Sequence, residues 1–425
     1  MKNLKSVAYL ICFVVLCLID LKGVHADNIV KVALNYPESG PFSREGTDQY
    51  RGAELARTEI NKNGGISGKK VEFRIYDSQS KPEIGRKNVL DAIEKSKVSM
   101  VFGGCSSATT FAVSKVCQEK QVLYFPTLTY SNQTTAEKGH RCLFRECYDS
   151  TMTARAISAY LKSKYGGKKF FYIVADNPTG KAIEGMIRKY SGTEDQNLHP
   201  CVRTPFPNPG GYGDALKKAD NANADVLIFG LFGEKMATAI REAQEMGLKE
   251  KMAIIVPNLD IVVAERCTPK ALEGAIGTIP WFYGVPEKYN YQRGINFVNA
   301  FVKRYNRYPG TGAASAYTTL YEYKDAVERA GTFDFQAVVK ALEGHKFALL
   351  KGEQVWRDFD HQNLQTVYIV KCKDESTVLK DKYHMDYFEI LDSISGESTA
   401  ISRQDWIAVR KKAELPSYLE RFVGE

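Results

Sequence analysis

Two patterns alternate along most of the chain. Short, nearly continuous apolar runs are followed by longer stretches whose apolar residues recur every three or four positions. IVKVALNY (29–36) is the first such run. GAELARTEINK (52–62) then places Ala53, Leu55, Ala56 and Ile60 on one side of a helix. VEFRIYD (71–77) predicts a strand, residues 91–96 the end of a helix, VSMVFGG (98–104) a strand, SSATTFAVSKVCQEK (106–120) a helix and VLYFPTLT (122–129) a strand. The alternation restarts with helix AISAYLKSKYG (156–166), strand KKFFYIVAD (168–176), helix GKAIEGMIRKY (180–190), strand ADVLIFGLFG (224–233), helix MATAIREAQEMGL (236–248) and strand KMAIIVPN (251–258).

Strands alternating with helices of this length predict an α/β protein with largely parallel sheets. The uninterrupted apolar character of the strands fits sheets covered on both faces. Two successive blocks imply two lobes: residues 27–148, then 149–277. PWFYGVP (280–286) and the helices NFVNAFVKRYN (296–306) and AYTTLYEYKDAVERAG (316–331) fit a return to the first lobe over 278–350. VWRDFDHQNLQTVYIVKCKD (355–374) predicts a hairpin near the second lobe, with that return spanning 351–373. Residues 374–425 form a C-terminal extension whose aromatic and apolar content predicts docking, over the hinge or against a partner.

The first 26 residues stand apart. Lys2 and Lys5 precede an apolar stretch at 7–19, and Val24-His25-Ala26 ends in a small residue. This is the pattern of a secretory signal peptide cut after Ala26, and its apolar stretch is shorter than the roughly 20 residues needed to span a bilayer. The mature chain is expected to be exported, and the family resemblance described below implies the periplasm. The formal net charge of +8 shrinks slightly once the leader's three lysines and one aspartate are gone. No basic stripe with interleaved aromatics points to nucleic acid. Of nine cysteines, Cys12 and Cys17 leave with the leader, and the odd remainder implies at least one unpaired thiol. Cys142 and Cys147 are close enough in sequence for a small-loop disulfide in an oxidising compartment.

Ligands of open parallel sheets gather at the carboxyl ends of the strands. Those ends carry residues 39–41, 104–109, 127–130, 176–179, 231–233 and 257–258, expected to face one another across a cleft. GGCSSATTF (103–111) is the most polar of these turns. The amides of a helix's first turn have no intrahelical acceptor and face the positive end of its dipole. With the hydroxyls of Ser106 and Ser107 they make a nest for a carboxylate or carbonyl oxygen; the alternative duty for either serine is to cap its helix. PTLTYSN (126–132) offers Thr127 and Thr129 as further polar candidates, and Phe232 and Tyr317 are candidate clamps for an apolar part of the ligand. P-loop, HExxH and GxSxG patterns are missing, and no His or Lys lies near Cys105 in sequence to act as its base. No catalytic residue, metal ligand or cofactor is therefore assigned.

SGPFSREG (39–46), RGAELARTEINKNGGISGKKVEFRIYDSQSKP (51–82), VFGGCSSATTFAV (101–113), VLYFPTLT, ADVLIFGLFG, AIREAQEMGL (239–248) and AYTTLYEYKDAVERAG occur in an order and spacing that resembles the type I periplasmic binding proteins of ABC transporters. The resemblance is to the branched-chain amino acid-binding group with its amide- and urea-binding relatives, over residues 29–373. It implies two doubly wound, Rossmann-like lobes joined by three crossovers and closing on a small solute for delivery to a membrane permease. The protein is then expected to be a monomer. It also implies that Ser106 holds a ligand carboxylate, that Thr127 and Thr129 assist, and that Asp149 holds an ammonium group. Where amino acid binders carry a tyrosine before glycine, this chain has Thr179-Gly180; where they carry a late acidic residue, it has Asn258. Phe232 and Tyr317 match pocket aromatics. The weakened ammonium cage leaves an amino acid, a neutral amide or urea-like molecule and an organic acid as ligand classes. A sensory subunit of the same fold is the alternative to a transport receptor.

Overall fold

The structure is a computed structural model describing residues 28–205, 210–422 and 424–425. The leader expected over residues 1–26 lies outside the described residues. From Ile29 the chain runs β1 (Ile29–Tyr36), α1 (Ser43–Lys62), β2 (Lys70–Asp77), α2 (Pro82–Glu94), β3 (Met100–Phe102), α3 (Ser107–Lys120) and β4 (Leu123–Phe125). These strands form one sheet in the order β2-β1-β3-β4, parallel throughout.

The second α/β run comprises α4 (Ser150–Tyr165), β5 (Phe170–Ala175), α5 (Pro178–Ser191), β6 (Cys201–Thr204), α6 (Gly213–Asn221), β7 (Val226–Gly230), α7 (Gly233–Glu245), β8 (Ala253–Val256) and β9 (Ile276–Ile279). Every residue of β5 and β7 is buried, as a strand covered by helices on both faces must be. The sequence pattern misses β6 and α6. β6 is a four-residue edge strand whose CVRT sequence is only partly buried, so it lacks the apolar signature of the central strands.

The chain then returns to the first lobe as α8 (Gln292–Tyr305), α9 (Thr311–Ala330) and α10 (Phe335–Leu342). α9 packs along α1 so closely that a Cβ on Gly52 would fall 2.1 Å from the carbonyl oxygen of Ala313. Glycine at that position sets the distance between the two helices.

The segment expected to be one hairpin over 355–374 divides between two sheets. β10 (Lys346–Phe347), β11 (Gln354–Trp356) and β12 (Asn363–Leu364) make a small antiparallel sheet. β13 (Val367–Cys372) crosses into the second lobe, where it pairs antiparallel with β9 and with β14 (Phe388–Ile394). The larger sheet therefore runs β14-β13-β9-β8-β7-β5-β6. Its last strand lies beyond residue 373, so the second lobe draws on the C-terminal extension. The expected hairpin covers β11 to β13 but neither β10 nor β14, and which sheet a strand joins depends on where the crossing lets it go.

Beyond β14 the extension docks on the crossings. α11 (Arg403–Lys412) presents Trp406, fully buried, whose indole N–H donates to the Thr135 carbonyl at 2.8 Å. Arg410 donates to the Ala136 carbonyl at 2.8 Å, and Arg155 of α4 bonds the carbonyls of Thr399 and Ala400. Glu420 accepts from the Arg141 amide at 2.8 Å, and Phe422 packs edge-on to Phe335 of α10. The extension thus touches both lobes and the first crossing. Among the described residues no helix is long and apolar enough to cross a membrane.

The seven described cysteines carry free thiols. The small-loop pairing of Cys142 with Cys147 is not formed, because the two sulfurs serve different surroundings. Cys142 Sγ donates to the Ser114 carbonyl at 3.5 Å, and Cys147 Sγ to the Thr129 carbonyl at 3.3 Å.

Trp406→Ala should cost about 3–5 kcal/mol, the usual range for truncating a buried tryptophan. Urea unfolding followed by circular dichroism measures it; a loss below about 1 kcal/mol would mean that the extension is not part of the cooperative fold.

Candidate functional site

The strand ends of the two lobes enclose a cleft of about 300 Å³. One wall begins at the turn from β3 to α3. Gly103 and Gly104 take φ of 104° and 108°, a region that favours glycine, and this bends the chain back so that α3 starts beside the cleft. Gln49 of α1 pins the turn, accepting from the Gly104 amide at 2.9 Å and donating to Cys105 Sγ at 2.8 Å. Ser106 is the N-cap of α3; its hydroxyl accepts from the Thr109 amide at 3.4 Å, a long contact that leaves its proton free to donate. Ser107 Oγ accepts from the Ser131 amide at 3.3 Å. Among the described residues the amides of Ser107 and Ala108 make no hydrogen bond, as expected of a helix's first turn.

The cleft is otherwise mostly apolar. Phe42, Phe111, Leu128, Tyr130, Phe232 and Val263 line it. Asn177, Thr179 and Asn258 add polar edges from the second lobe. Asn177 caps α5 by accepting from the Gly180 amide at 2.8 Å, and Asn258 accepts from Thr153 at 3.3 Å; in each case the side-chain oxygen is used and the amide N–H₂ remains available.

Two carboxylates reach the cleft, Glu45 and Asp260. Glu45, on the first lobe, accepts a two-pronged bond from Arg266 of the second lobe at 2.8 and 3.1 Å, with both side chains nearly buried. Burial raises the Glu45 pKa, against the opposing pull of Arg266. Asp260 caps the short helix Ile261–Ala264, accepting from the Val262 amide at 2.7 Å, and its second oxygen accepts from the Thr311 amide of the first lobe at 3.2 Å. Both groups therefore bridge the lobes. Behind them Asp48 is fully buried and accepts from the amides of Gly310 at 3.3 Å and Ala313 at 2.8 Å.

Of the residues singled out from sequence, Ser106, Ser107, Thr179, Phe232 and Asn258 come together around the cleft. Thr127, Thr129, Asp149 and Tyr317 do not line it. Thr127 and Thr129 point away: Thr127 Oγ1 donates to Gln49 at 2.8 Å, and Thr129 Oγ1 bonds Thr134 at 3.1 Å. Successive side chains of an extended segment face opposite ways, so it is their neighbours Leu128 and Tyr130 that face the cleft. Asp149 caps α4 through the Met152 amide at 2.8 Å and pairs with buried Arg145 at 3.0 Å, a cation that neutralises its charge away from the cleft. Tyr317 donates to Glu59 at 2.6 Å and packs against Phe297, inside the first lobe. Sequence reasoning missed Phe42, Glu45 and Asp260, and reached Tyr130 only as part of the 127–130 strand end. Phe42 and Glu45 lie within the quoted SGPFSREG, and Asp260 two residues beyond Asn258. The right segments were visible, but a register finer than one residue was not.

A family model described as Periplasmic binding protein matches residues 29–377. The chain belongs to this family. A leucine-, isoleucine-, valine-, threonine- and alanine-binding protein of Pseudomonas aeruginosa is 24% identical over 331 residues, 77% of this chain and 85% of that protein. Leu/Ile/Val-binding protein homolog 3 of Brucella melitensis is 26% identical over 75% of this chain and 84% of its own length. Among solved structures, an amino acid ABC transporter substrate-binding protein from Pseudomonas fluorescens superposes with a TM-score of 0.78 at 19% identity, over 88% of this chain and 99% of that one. A solute-binding protein of an ABC transporter from Rhodopseudomonas palustris, in complex with 3,4-dihydroxybenzoic acid, has a TM-score of 0.76 at 18% identity, over 87% of this chain and 98% of that one. The fold is thus the two-lobed type I periplasmic binding protein fold, and the protein is a solute-binding member of this family. The family's members bind solutes for transport and are not enzymes. Among the described residues no cluster of metal-ligating side chains occurs.

Asp48 predicts a pH dependence. Burial, with Asp260 adding to it, raises its pKa from 3.8 to about 7, against the pull of Arg307 and of two amides. The native state thus binds this proton more tightly than the unfolded chain does. Its contribution to stability is fully present below about pH 4 and is lost as pH rises through about 7. In Asp48→Asn that loss disappears, so the difference in stability between wild type and variant should change steadily from pH 4 to pH 8. Urea midpoints across this range measure it, and a constant difference would remove the shift.

Proposed function

We propose that this protein is the exported receptor of an ABC transporter and that its ligand is an amino acid with an apolar side chain. The observation that carries this reading is the division of the cleft into three chemistries. The free amides of Ser107 and Ala108 and the hydroxyls of Ser106 and Ser107 suit a carboxylate. Asp260, whose charge also reaches Cys105 beside Ser106, suits the ammonium group on the same carbon. Phe42, Phe111, Leu128, Phe232 and Val263 suit an apolar side chain extending from that carbon. A cleft of about 300 Å³ lies at the small end of the range for ligand pockets. The names of the relatives from Pseudomonas and Brucella support the same class.

The ammonium role passes from Asp149 to Asp260 in this reading, because Asp149 is committed to Arg145 and to its helix. Closure strengthens binding only through contacts that differ between open and closed forms. The Glu45–Arg266 pair and the Asp260–Thr311 bond, each spanning the lobes, are such contacts. The closed form then presents its surface to a membrane permease. The leader over residues 1–26, cut after Ala26, directs export to the periplasm, and the mature chain works as a monomer.

Calorimetric titration of the refolded mature chain with L-leucine, its des-amino analogue 4-methylpentanoate and 3,4-dihydroxybenzoate tests the ligand class. L-leucine should bind and the des-amino analogue should bind at least tenfold more weakly. Asp260→Asn should weaken L-leucine about 10- to 100-fold, the worth of a charge-assisted hydrogen bond of about 1.5–3 kcal/mol, and leave the analogue nearly unaffected. Ser106→Ala should weaken both. Binding of dihydroxybenzoate alone would replace the amino acid by an aromatic acid held among Phe42, Phe111, Tyr130 and Phe232.

A further inference from the structure

Cys117 and Cys142 are both fully buried and belong to the same apolar cluster between α3 and the sheet of the first lobe. Cys117 lies near the end of α3. On that helix Ser114, Cys117 and Gln118 occupy one face, being three and four positions apart. Cys142 rests against this face. Its amide donates to Gln118 Oε1 at 2.9 Å, and its sulfur lies 3.5 Å from the Ser114 carbonyl oxygen. The backbone holds the arrangement on both sides, since the Cys117 carbonyl accepts from the Val122 amide at 2.9 Å and the Cys142 carbonyl from the Tyr124 amide at 2.8 Å. The Cys142 sulfur is thus held over the helical turn that carries Cys117, within the same buried cluster.

We propose that Cys117 and Cys142 form a structural disulfide when the chain folds in an oxidising compartment. The two thiols lose two protons and two electrons as the S–S bond forms, and the electron acceptor is a small-molecule or protein disulfide, which is reduced to two thiols. Both sulfurs are sealed in the native core, so the exchange occurs while the first lobe assembles. The bond closes the loop that carries β4 and the cleft residues Leu128, Tyr130 and Ser131. It therefore fixes one wall of the cleft covalently to α3, the helix whose first turn forms the polar end. The other five cysteines, Cys105, Cys147, Cys201, Cys267 and Cys372, lie outside this cluster.

The proposal needs an oxidising environment but not the identity of the ligand, so it fails separately from the transport reading. The mature chain, residues 27–425, is unfolded, reduced, refolded in a reduced/oxidised glutathione buffer, trapped with iodoacetamide in denaturant and digested with trypsin. Cleavage after Lys115, Lys120, Arg141 and Arg145 puts the pair on VCQEK and CLFR, peptides with no other cysteine. The expected result is a linked VCQEK–CLFR species in most of the protein, with the other five thiols alkylated. Adding a phosphine reductant should then lower the melting temperature by several degrees, and the Cys117→Ser/Cys142→Ser double variant should show no such response. Alkylation of all seven thiols, or a link between any other pair, would overturn the assignment.

Discussion

A single buried guanidinium joins the pieces of this molecule. Arg145 is fully buried on the first crossing between the lobes. Its donors reach Gln362 on the third crossing at 2.5 Å, the Ser131 carbonyl at 2.5 Å, Thr135 at 3.0 Å and Asp149 at 3.0 Å. A buried charge is tolerated only when it is paired and its donors are satisfied. Those partners must therefore be brought together for the fold to form at all. Backbone bonds between Arg145 and residues 361 and 363 reinforce the same junction. With that node in place, β4 leads into the first crossing, α4 starts the second lobe, and β13 is delivered to the larger sheet.

The node also explains why Asp149 does not line the cleft: buried Arg145 and a helix amide hold it at the crossing. The charges that do face the cleft are instead those that bridge the lobes. Glu45 and Arg266 bury each other, and Asp260 draws on an amide from the opposite lobe. Separating the lobes would leave these groups without their partners, so the same residues that close the cleft give it its polarity. The C-terminal extension, laid over the crossing at Thr135 and Ala136 and reaching both lobes, adds packing at that junction.

The sequence by itself determined the architecture and the segments that make the site. Apolar runs such as FFYIVA and VLIFG can only be strands sealed on both faces, and the helical spacing between them imposes parallel pairing. Carboxyl strand ends then had to meet, which is why Ser106, Ser107, Thr179, Phe232 and Asn258 were nameable from the chain alone. The tertiary structure alone decided three things. It decided the side-chain register at 127–130, where one residue's shift separates a cleft-facing tyrosine from a buried threonine. It decided which sheet receives β13 and β14, because that follows from the crossings and not from local pattern. And it decided which carboxylate faces the solute. Asp149 and Asp260 each cap a helix; Arg145, four residues before Asp149, pairs with it locally, whereas only the meeting of the two lobes sets Asp260 beside Thr311 at the cleft.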